Sequence, residues 1–350
     1  MSLEPYDAAP APHVVLDHTG DGQDGRGDTF LVQEHHATAL HWDVRLERDG
    51  VLVSWAVPKG LPLDPAVNHL AKQTEDHALA HATVGRDAPA GEYGRGHVHL
   101  WDSGTYELQK WRPHEVQVVL HGSRIDGRYV IFRTRRGDWL VHRMGGRPPG
   151  WLPLPRGLRP VLATPGPLPD GAQWSYAPAL HGLRVLVAVE GGRLRVEDDT
   201  GQDVTAAFPE LRPMGLQLGS RQVLLDAEVV VLDEAGRPDA ALLAERAAAT
   251  RPGRRLLREA PVQLLAQDLL HVEGTPLLDR PHSARRAALE ALELGGPCWR
   301  VAPAFPGSGE AVRAAAQERG LPGVLATRSD SAYRPGTRSP DRVSTAFRTL

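Results

Sequence analysis

Between Gln33 and Leu46 the chain reads Gln-Glu-His-His-Ala-Thr-Ala-Leu-His-Trp-Asp-Val-Arg-Leu. In an extended strand, alternate side chains share a face. His41, Asp43 and Arg45 then project together, while Leu40, Trp42, Val44 and Leu46 project from the other side. The second set reads as core. The first puts an imidazole, a carboxylate and a guanidinium side by side, and His35, which precedes a turn, can fold back toward His41 and Asp43. Two imidazoles and one carboxylate form a mixed nitrogen and oxygen donor set. That set suits Mn²⁺, Zn²⁺ or a related divalent ion and leaves room for water and a phosphate oxygen. Arg45 would stabilise charge on a phosphoryl group placed there. Histidines beside carboxylates are also common as plain hydrogen-bond partners, so spacing alone leaves both readings open.

The elements that must position these residues are short. From Phe30, alternating segments (LHWDVRLE, VLVSWAV, HVHLWD, VQVVLHG, RYVIFRT, WLVHRM) are separated by Gly, Pro and Asp-Gly turns. Strands at this spacing predict a compact antiparallel β-barrel or sandwich. The stretch AVNHLAKQTEDHAL interrupts them and reads as a short helix or an irregular excursion. Residues 1–28, rich in Asp, Gly and Pro, read as a mobile arm. The first domain spans 29–144, and a linker, 145–157, lies in the Pro/Gly-rich GGRPPGWLPLPRGLRP. Beyond it, in 158–350, strands (LRVLVAVE, RQVLLDAEVVVLD, VQLLAQDLL) alternate with Ala/Arg/Leu helices (DAALLAERAAA, HSARRAALEALEL, GEAVRAAAQERG). That alternation predicts an α/β or α+β second domain, and a two-domain α+β chain as a whole.

Composition sets limits. A length of 350 residues suits two domains. Lys and Arg number 40 against 43 Asp and Glu, a formal net charge of −3, so bulk charge does not mark a nucleic-acid binder. Locally, Arg124, Arg128, Arg133, Arg135, Arg136, Arg143 and Arg147 crowd one segment, with His114, His121 and His142 nearby. Such a stripe suits phosphate contact or a solvated strand face. Cys298 is the one cysteine, which excludes an intrachain disulfide and fits a reducing compartment. No signal-peptide pattern opens the sequence, and no apolar run reaches the roughly 20 residues of a membrane span. The expectation is a cytoplasmic, nucleoid-associated protein with no membrane partner.

From Phe30 to about Arg143 the chain resembles the 3′-phosphoesterase domain of bacterial DNA ligase D. The resemblance is carried by three ordered blocks: FLVQEHHATALHWDVRLERDGVLVSWAVPKG, LDPAVNHLAKQTEDHAL and APAGEYGRGHVHLWDSGTYE. It implies that His35, His41 and Asp43 are metal ligands. It implies phosphate contacts from Gln33, Arg45 and Lys59, and a catalytic role for His77 as general acid or by direct engagement of the phosphate. The implied cofactor is a divalent metal, manganese first, with zinc or another transition metal as alternatives. The implied activity is removal of a 3′-terminal ribonucleoside and of the remaining 3′-phosphate, leaving a 3′-hydroxyl. DNA 3′ ends and primer-templates are the expected partners, together with a Ku-like end-binding protein or a separate ligase or polymerase. The sequence departs from the family at His69, normally arginine, and at His81, normally tyrosine, and the family's acidic-basic arm motif is not recognisable in residues 1–28.

From Leu158 the chain resembles the adenylation domain of ATP-dependent DNA ligases, which implies an α/β nucleotidyltransferase-like fold. LRPVLA stands at the entry, and WSYAPALHGLRVLVAV where the Lys-x-Asp-Gly signature belongs. LLDAEVVVLD, with Asp226 and Glu228, resembles the acidic third motif; AQDLLHVEGTPLLDRPHSARRAALEAL and LPGVLATRSDSAYRPGTRSP resemble the later blocks. Ligation needs a lysine amine to attack the ATP α-phosphate. Here that position is Ala179, the motif's aspartate is His181, and Pro322 and Thr327 replace the glutamate and lysine of the fourth motif. No lysine follows Lys110, and a guanidinium, always protonated, is a poor substitute. Gly182 and Arg184 are retained, as structural residues or as relics of nucleotide binding. The resemblance to the adenylation domain carries the expectation of no OB-fold after the last motif. The expectation is therefore a 3′-end phosphoesterase with a degenerate ligase-like module and no ATP cofactor. A non-enzymatic DNA-end scaffold and a working ligase are the competing readings.

Overall fold

The computed structural model describes residues 27–37, 39–79 and 97–347. Most of the expected arm, and His81, lie outside the described residues. The chain divides into two compact units, 1–151 and 152–350. The division falls within a stretch, 145–161, that carries no helix or strand.

The first unit is built from β1 (Thr29–His36), β2 (Leu40–Arg48), β3 (Val51–Val57), β4 (Asn68–Gln73), β5 (His77–Ala78), β6 (His97–Arg112), β7 (Glu115–Gly122), β8 (Asp126–Arg133) and β9 (Trp139–Met144). Strands pair in the order β2-β1-β6-β7-β8-β9-β4-β3, and β3 returns to β2. The result is a closed eight-stranded antiparallel barrel, with β5 added along β3. Its interior is filled by alternate residues, among them Phe30, Val32, Leu40, Trp42, Val44, Leu46, Trp55 and Val57. The hairpin between β2 and β3 is tight because Asp49 and Gly50 both adopt positive φ, at 50° and 81°. This primed turn matches the twist of the flanking strands.

One expectation is corrected here. The stretch AVNHLAKQTEDHAL contains no α-helix; it forms β4 and β5. β4 pairs with β9 from Asn68↔His142 to Ala71↔Trp139 and with β3 at Trp55↔Gln73, closing the barrel. Only Ala71 of β4 is buried, and Leu70 is exposed. Ladder hydrogen bonds, which would otherwise leave two open edges, make this segment a strand without any apolar alternation to announce it.

The second unit contains two sheets. One joins β10 (Leu162–Pro165), β11 (Trp174–Ala179), β18 (Phe305–Pro306), β19 (Gly323–Arg328) and β20 (Arg338–Ala346). The other joins β12 (Leu183–Glu190), β13 (Arg193–Asp198), β14 (Val223–Val231), β15 (Val262–Val272), β16 (Thr275–Pro276) and β17 (Trp299–Val301). Helices α1 (Arg212–Leu218), α2 (Ala240–Ala248), α3 (Arg254–Glu259), α4 (His282–Glu290) and α5 (Gly309–Glu318) accompany them. The expected strands and the three expected helices are present. Pairing is antiparallel except for β10–β20 and β15–β17, so the α/β class gives way to α+β. The reason is local: β12 turns back into β13 through Gly191 and Gly192, both at positive φ, and no crossover helix intervenes.

Candidate metal and phosphate site

The register of the β1–β2 hairpin sets His35 opposite His41 and Gln33 opposite Asp43. On the other side of β2, Arg45 lies opposite Ser54 of β3, and Leu52 lies opposite His77 of β5. These positions alternate with the core residues, so all lie on the face turned away from the barrel interior.

His35 Nδ1 lies 3.1 Å from His41 Nε2, and Asp43 lies 3.9 Å from His35 Nδ1 and 3.6 Å from His41 Nε2. Donor atoms from all three lie within 4.8 Å of one another, and among the described residues they are the one such group of three. Two donors each roughly 2.1 Å from a shared ion stand about 3.0–3.5 Å apart, so modest tightening accommodates a cation. His41 Nδ1 is 3.0 Å from the Ala39 carbonyl oxygen. Donation to that oxygen keeps the proton on Nδ1 and turns the Nε2 lone pair toward His35 and Asp43, the usual support of a metal-binding imidazole. The residues fit a divalent ion.

Arg45 continues the site. Its Nη2 donates to Asp43 Oδ2 at 3.0 Å, its Nε to Gln33 Oε1 at 2.9 Å and its Nη1 to Ser54 Oγ at 3.2 Å. Gln33, Asp43 and Arg45 are all buried. Burial lowers the Arg45 pKa, and the Asp43 carboxylate opposes that shift. His77 Nδ1 is 3.4 Å from Ser54 Oγ. The structure thus gathers Gln33, His35, His41, Asp43, Arg45 and His77 on one face. Lys59 is exposed in the turn after β3. His69, at the departing position, places Nδ1 2.7 Å from the Gly60 carbonyl oxygen. Ser54 was not legible as a site residue, because a serine in VLVSWAV resembles any outward polar position.

The arginine stripe disperses. Arg143 is buried, donating to Tyr129 Oη and the Gly146 carbonyl. Arg147 pairs with Asp64 at 3.0 Å, and Arg124 lies over the Trp101 ring at 5.3 Å. Arg128, Arg135 and Arg136 remain exposed.

In the second unit, Ala179 ends β11 directly opposite Gly323, the neighbour of Pro322. Thr327 lies on β19 between Ser175 and Arg342. His181 has φ +53° and is exposed. A Cβ on Gly182 would stand 2.4 Å from the Val229 carbonyl oxygen, so the close approach of this loop to β14 requires glycine. Glu228 accepts from Gly182 N at 2.6 Å and from Gln267 Nε2 at 2.8 Å. Asp226 is ion-paired with Arg184 and accepts from Tyr333 Oη at 2.8 Å. Burial raises the Tyr333 pKa well above its ordinary value, with Asp226 adding to the shift. Burial, aided by Arg184, lowers Arg342 to about 10.

A closed antiparallel barrel carrying a His/His/Asp donor set beside a buried arginine defines the class, and comparison with known families agrees. Residues 33–133 match the DNA Ligase D 3′-phosphoesterase domain, and residues 170–342 match the ATP dependent DNA ligase domain. The chain belongs to the bacterial DNA ligase D family. It is 42% identical over 338 residues to the multifunctional non-homologous end joining DNA repair protein LigD of Mycobacterium tuberculosis (strain ATCC 25618 / H37Rv), covering 95% of this chain and 43% of that protein. It is 33% identical over 371 residues to the multifunctional non-homologous end joining protein LigD of Pseudomonas aeruginosa, covering 90% and 43%. The chain thus spans less than half the length of these relatives. Among solved structures, a mycobacterial DNA ligase D complexed with ATP and MES is similar over 54% of this chain and 60% of its own, with 34% identity and a TM-score of 0.48. Among the described residues, no helix is long and apolar enough to cross a membrane.

Proposed function

We propose that the first unit is a metal-dependent phosphoesterase that trims 3′ ends of DNA or RNA–DNA strands, leaving a 3′-hydroxyl. The observation that carries this reading is the donor triangle His35, His41 and Asp43, whose carboxylate also grips the Arg45 guanidinium at 3.0 Å. The three side chains would hold the ion, with Mn²⁺ favoured and Zn²⁺ or another transition metal as alternatives. When bound, the ion supplies Lewis-acid stabilisation of charge on a phosphoryl oxygen. Arg45, oriented by Gln33, Ser54 and Asp43, would present fixed positive charge to the phosphoryl group. Lys59 would add a second cation from the turn after β3, and His77 would give a proton to the leaving oxygen or engage the phosphate directly. Partners on this reading are DNA 3′ ends and primer-templates within end joining, with recruitment by a Ku-like protein or a separate ligase or polymerase.

For the second unit we propose a ligase-like module without ligase chemistry, to which ATP is not a cofactor. Boundaries on this reading are 29–144 for the phosphoesterase, 145–157 for the linker and 158–350 for the ligase-like domain. Support comes from Ala179, which ends β11 opposite Gly323, and from Pro322, the residue before β19: neither side chain can act as the nucleophile or the acid that ligation needs at those positions. The acidic side chains of the third motif are also hydrogen-bonded within the chain.

The test uses the full chain with Mn²⁺ and a primer-template bearing a 3′-phosphate or one 3′-ribonucleotide. Trimming by the wild type, abolished in His41→Ala, is expected. No trimming by the wild type would leave a DNA-end scaffold. Radiolabelled AMP retained covalently after incubation with ATP would contradict the proposal for the second unit.

A further inference from the structure

Ser54 holds the key to which nitrogen of His77 works. Its hydroxyl has one proton to give and two lone pairs to receive with. The proton goes to the Leu52 carbonyl oxygen at 2.9 Å, and one lone pair takes the Arg45 Nη1–H at 3.2 Å. The guanidinium has no lone pair to offer, so this second contact has a fixed direction. The atom left facing Ser54 Oγ is His77 Nδ1, at 3.4 Å. With its own proton committed, the hydroxyl can only accept from the imidazole. A hydrogen bond across this contact therefore requires the hydrogen on Nδ1.

We propose that Ser54 is a positioning residue that fixes neutral His77 as the Nδ1–H tautomer and couples its ring orientation to Arg45. The nitrogen that gains or gives a proton is consequently Nε2. This deepens the phosphoesterase reading, and rests on it only for the claim that His77 moves a proton. Ser54 itself is buried, and its hydroxyl faces the Leu52 carbonyl oxygen, Arg45 and His77. It lies on adjacent ladder positions with both groups it joins, because Arg45 pairs with Ser54 across β2–β3 and His77 pairs with Leu52 across β3–β5. The strand register therefore builds the relay of Arg45, Ser54 and His77 without help from loops.

The test separates the tautomer from the activity. Two-bond ¹H–¹⁵N correlation spectra of the full chain labelled with ¹⁵N-histidine, with His77 assigned through His77→Gln, report which ring nitrogen is protonated at neutral pH. The wild type and Ser54→Thr should show Nδ1–H; Ser54→Ala should move toward the Nε2–H form that dominates in free histidine. In Mn²⁺-dependent release of a 3′-phosphate, Ser54→Ala should lose about tenfold in kcat with KM little changed, and Ser54→Thr should recover it. An Nε2–H tautomer in the folded wild type overturns the proposal, and the spectrum decides this even if no substrate is turned over. A Ser54→Ala protein that shifts tautomer yet keeps full kcat overturns the positioning role.

Discussion

Asp43 divides its oxygens between two tasks, Oδ2 accepting from Arg45 at 3.0 Å while Oδ1 faces His41 at 3.6 Å. On the proposed reading, the same carboxylate links the ion donors to the cation offered to the phosphate. Arg45 fills this place by making three directed bonds from one plane, a geometry a lysine ammonium cannot reproduce. Replacing Arg45→Lys is expected to lower kcat for 3′-phosphate release by about 10²-fold, the typical cost of a lost charge-stabilising donor. Mn²⁺ affinity should be retained, and steady-state kinetics with parallel metal titration check both. The His-x-Asp-x-Arg spacing was legible in the sequence, because a period of two needs no tertiary information. Ser54 was not, since its meaning depends on β5 lying along β3.

At the scale of elements, the site is as rigid as the hairpins that carry it. Trp42 separates His41 from Asp43 in sequence and points the opposite way, fully buried, with Gly60 packed on its ring. Trp42→Ala should destabilise the first unit by about 3–5 kcal/mol through lost burial and the cavity left behind. Trp42→Phe should cost clearly less, because the buried indole Nε1 makes no hydrogen bond among the described residues. Denaturant melts of the full chain, followed by barrel tryptophan fluorescence, compare the two; equal losses would mean that Trp42 is not packed as described. Strands with clean alternation, β2, β3 and β9, were legible nearly to the residue. β4 was not, because Ala71 is its lone buried side chain and its place is set by the open edges of β3 and β9.

For the molecule as a whole, the two units match different family domains. The first holds Asp43 and Arg45 in one buried row, and the second buries Arg285 against Asp268 at 2.7 Å. His282 stands against that pair, and burial lowers its pKa to about 4; Asp268 opposes the shift, while Arg285, Arg342 and Arg286 add to it. The unfolded chain binds this proton first, so the stability it confers is complete above about pH 6.5 and is lost as pH falls toward 4. Between pH 7 and pH 5 the second unit should lose about 2 kcal/mol from this group. Urea melts should show that slope, and His282→Asn should flatten it; identical pH dependence in the two proteins would contradict the assignment. The two-unit plan and the kinship of both halves were legible from ordered motifs. The antiparallel pairing of the second unit was not, because alternating strands and helices do not reveal which strands become neighbours. The central claim, that His35, His41 and Asp43 together hold one cation, is tested most directly by electron paramagnetic resonance of Mn²⁺ titrated into the full chain. One tightly bound equivalent in the wild type, lost in both His41→Ala and Asp43→Asn while the fold persists, is the predicted result. Equal Mn²⁺ binding by the wild type and these variants would contradict it.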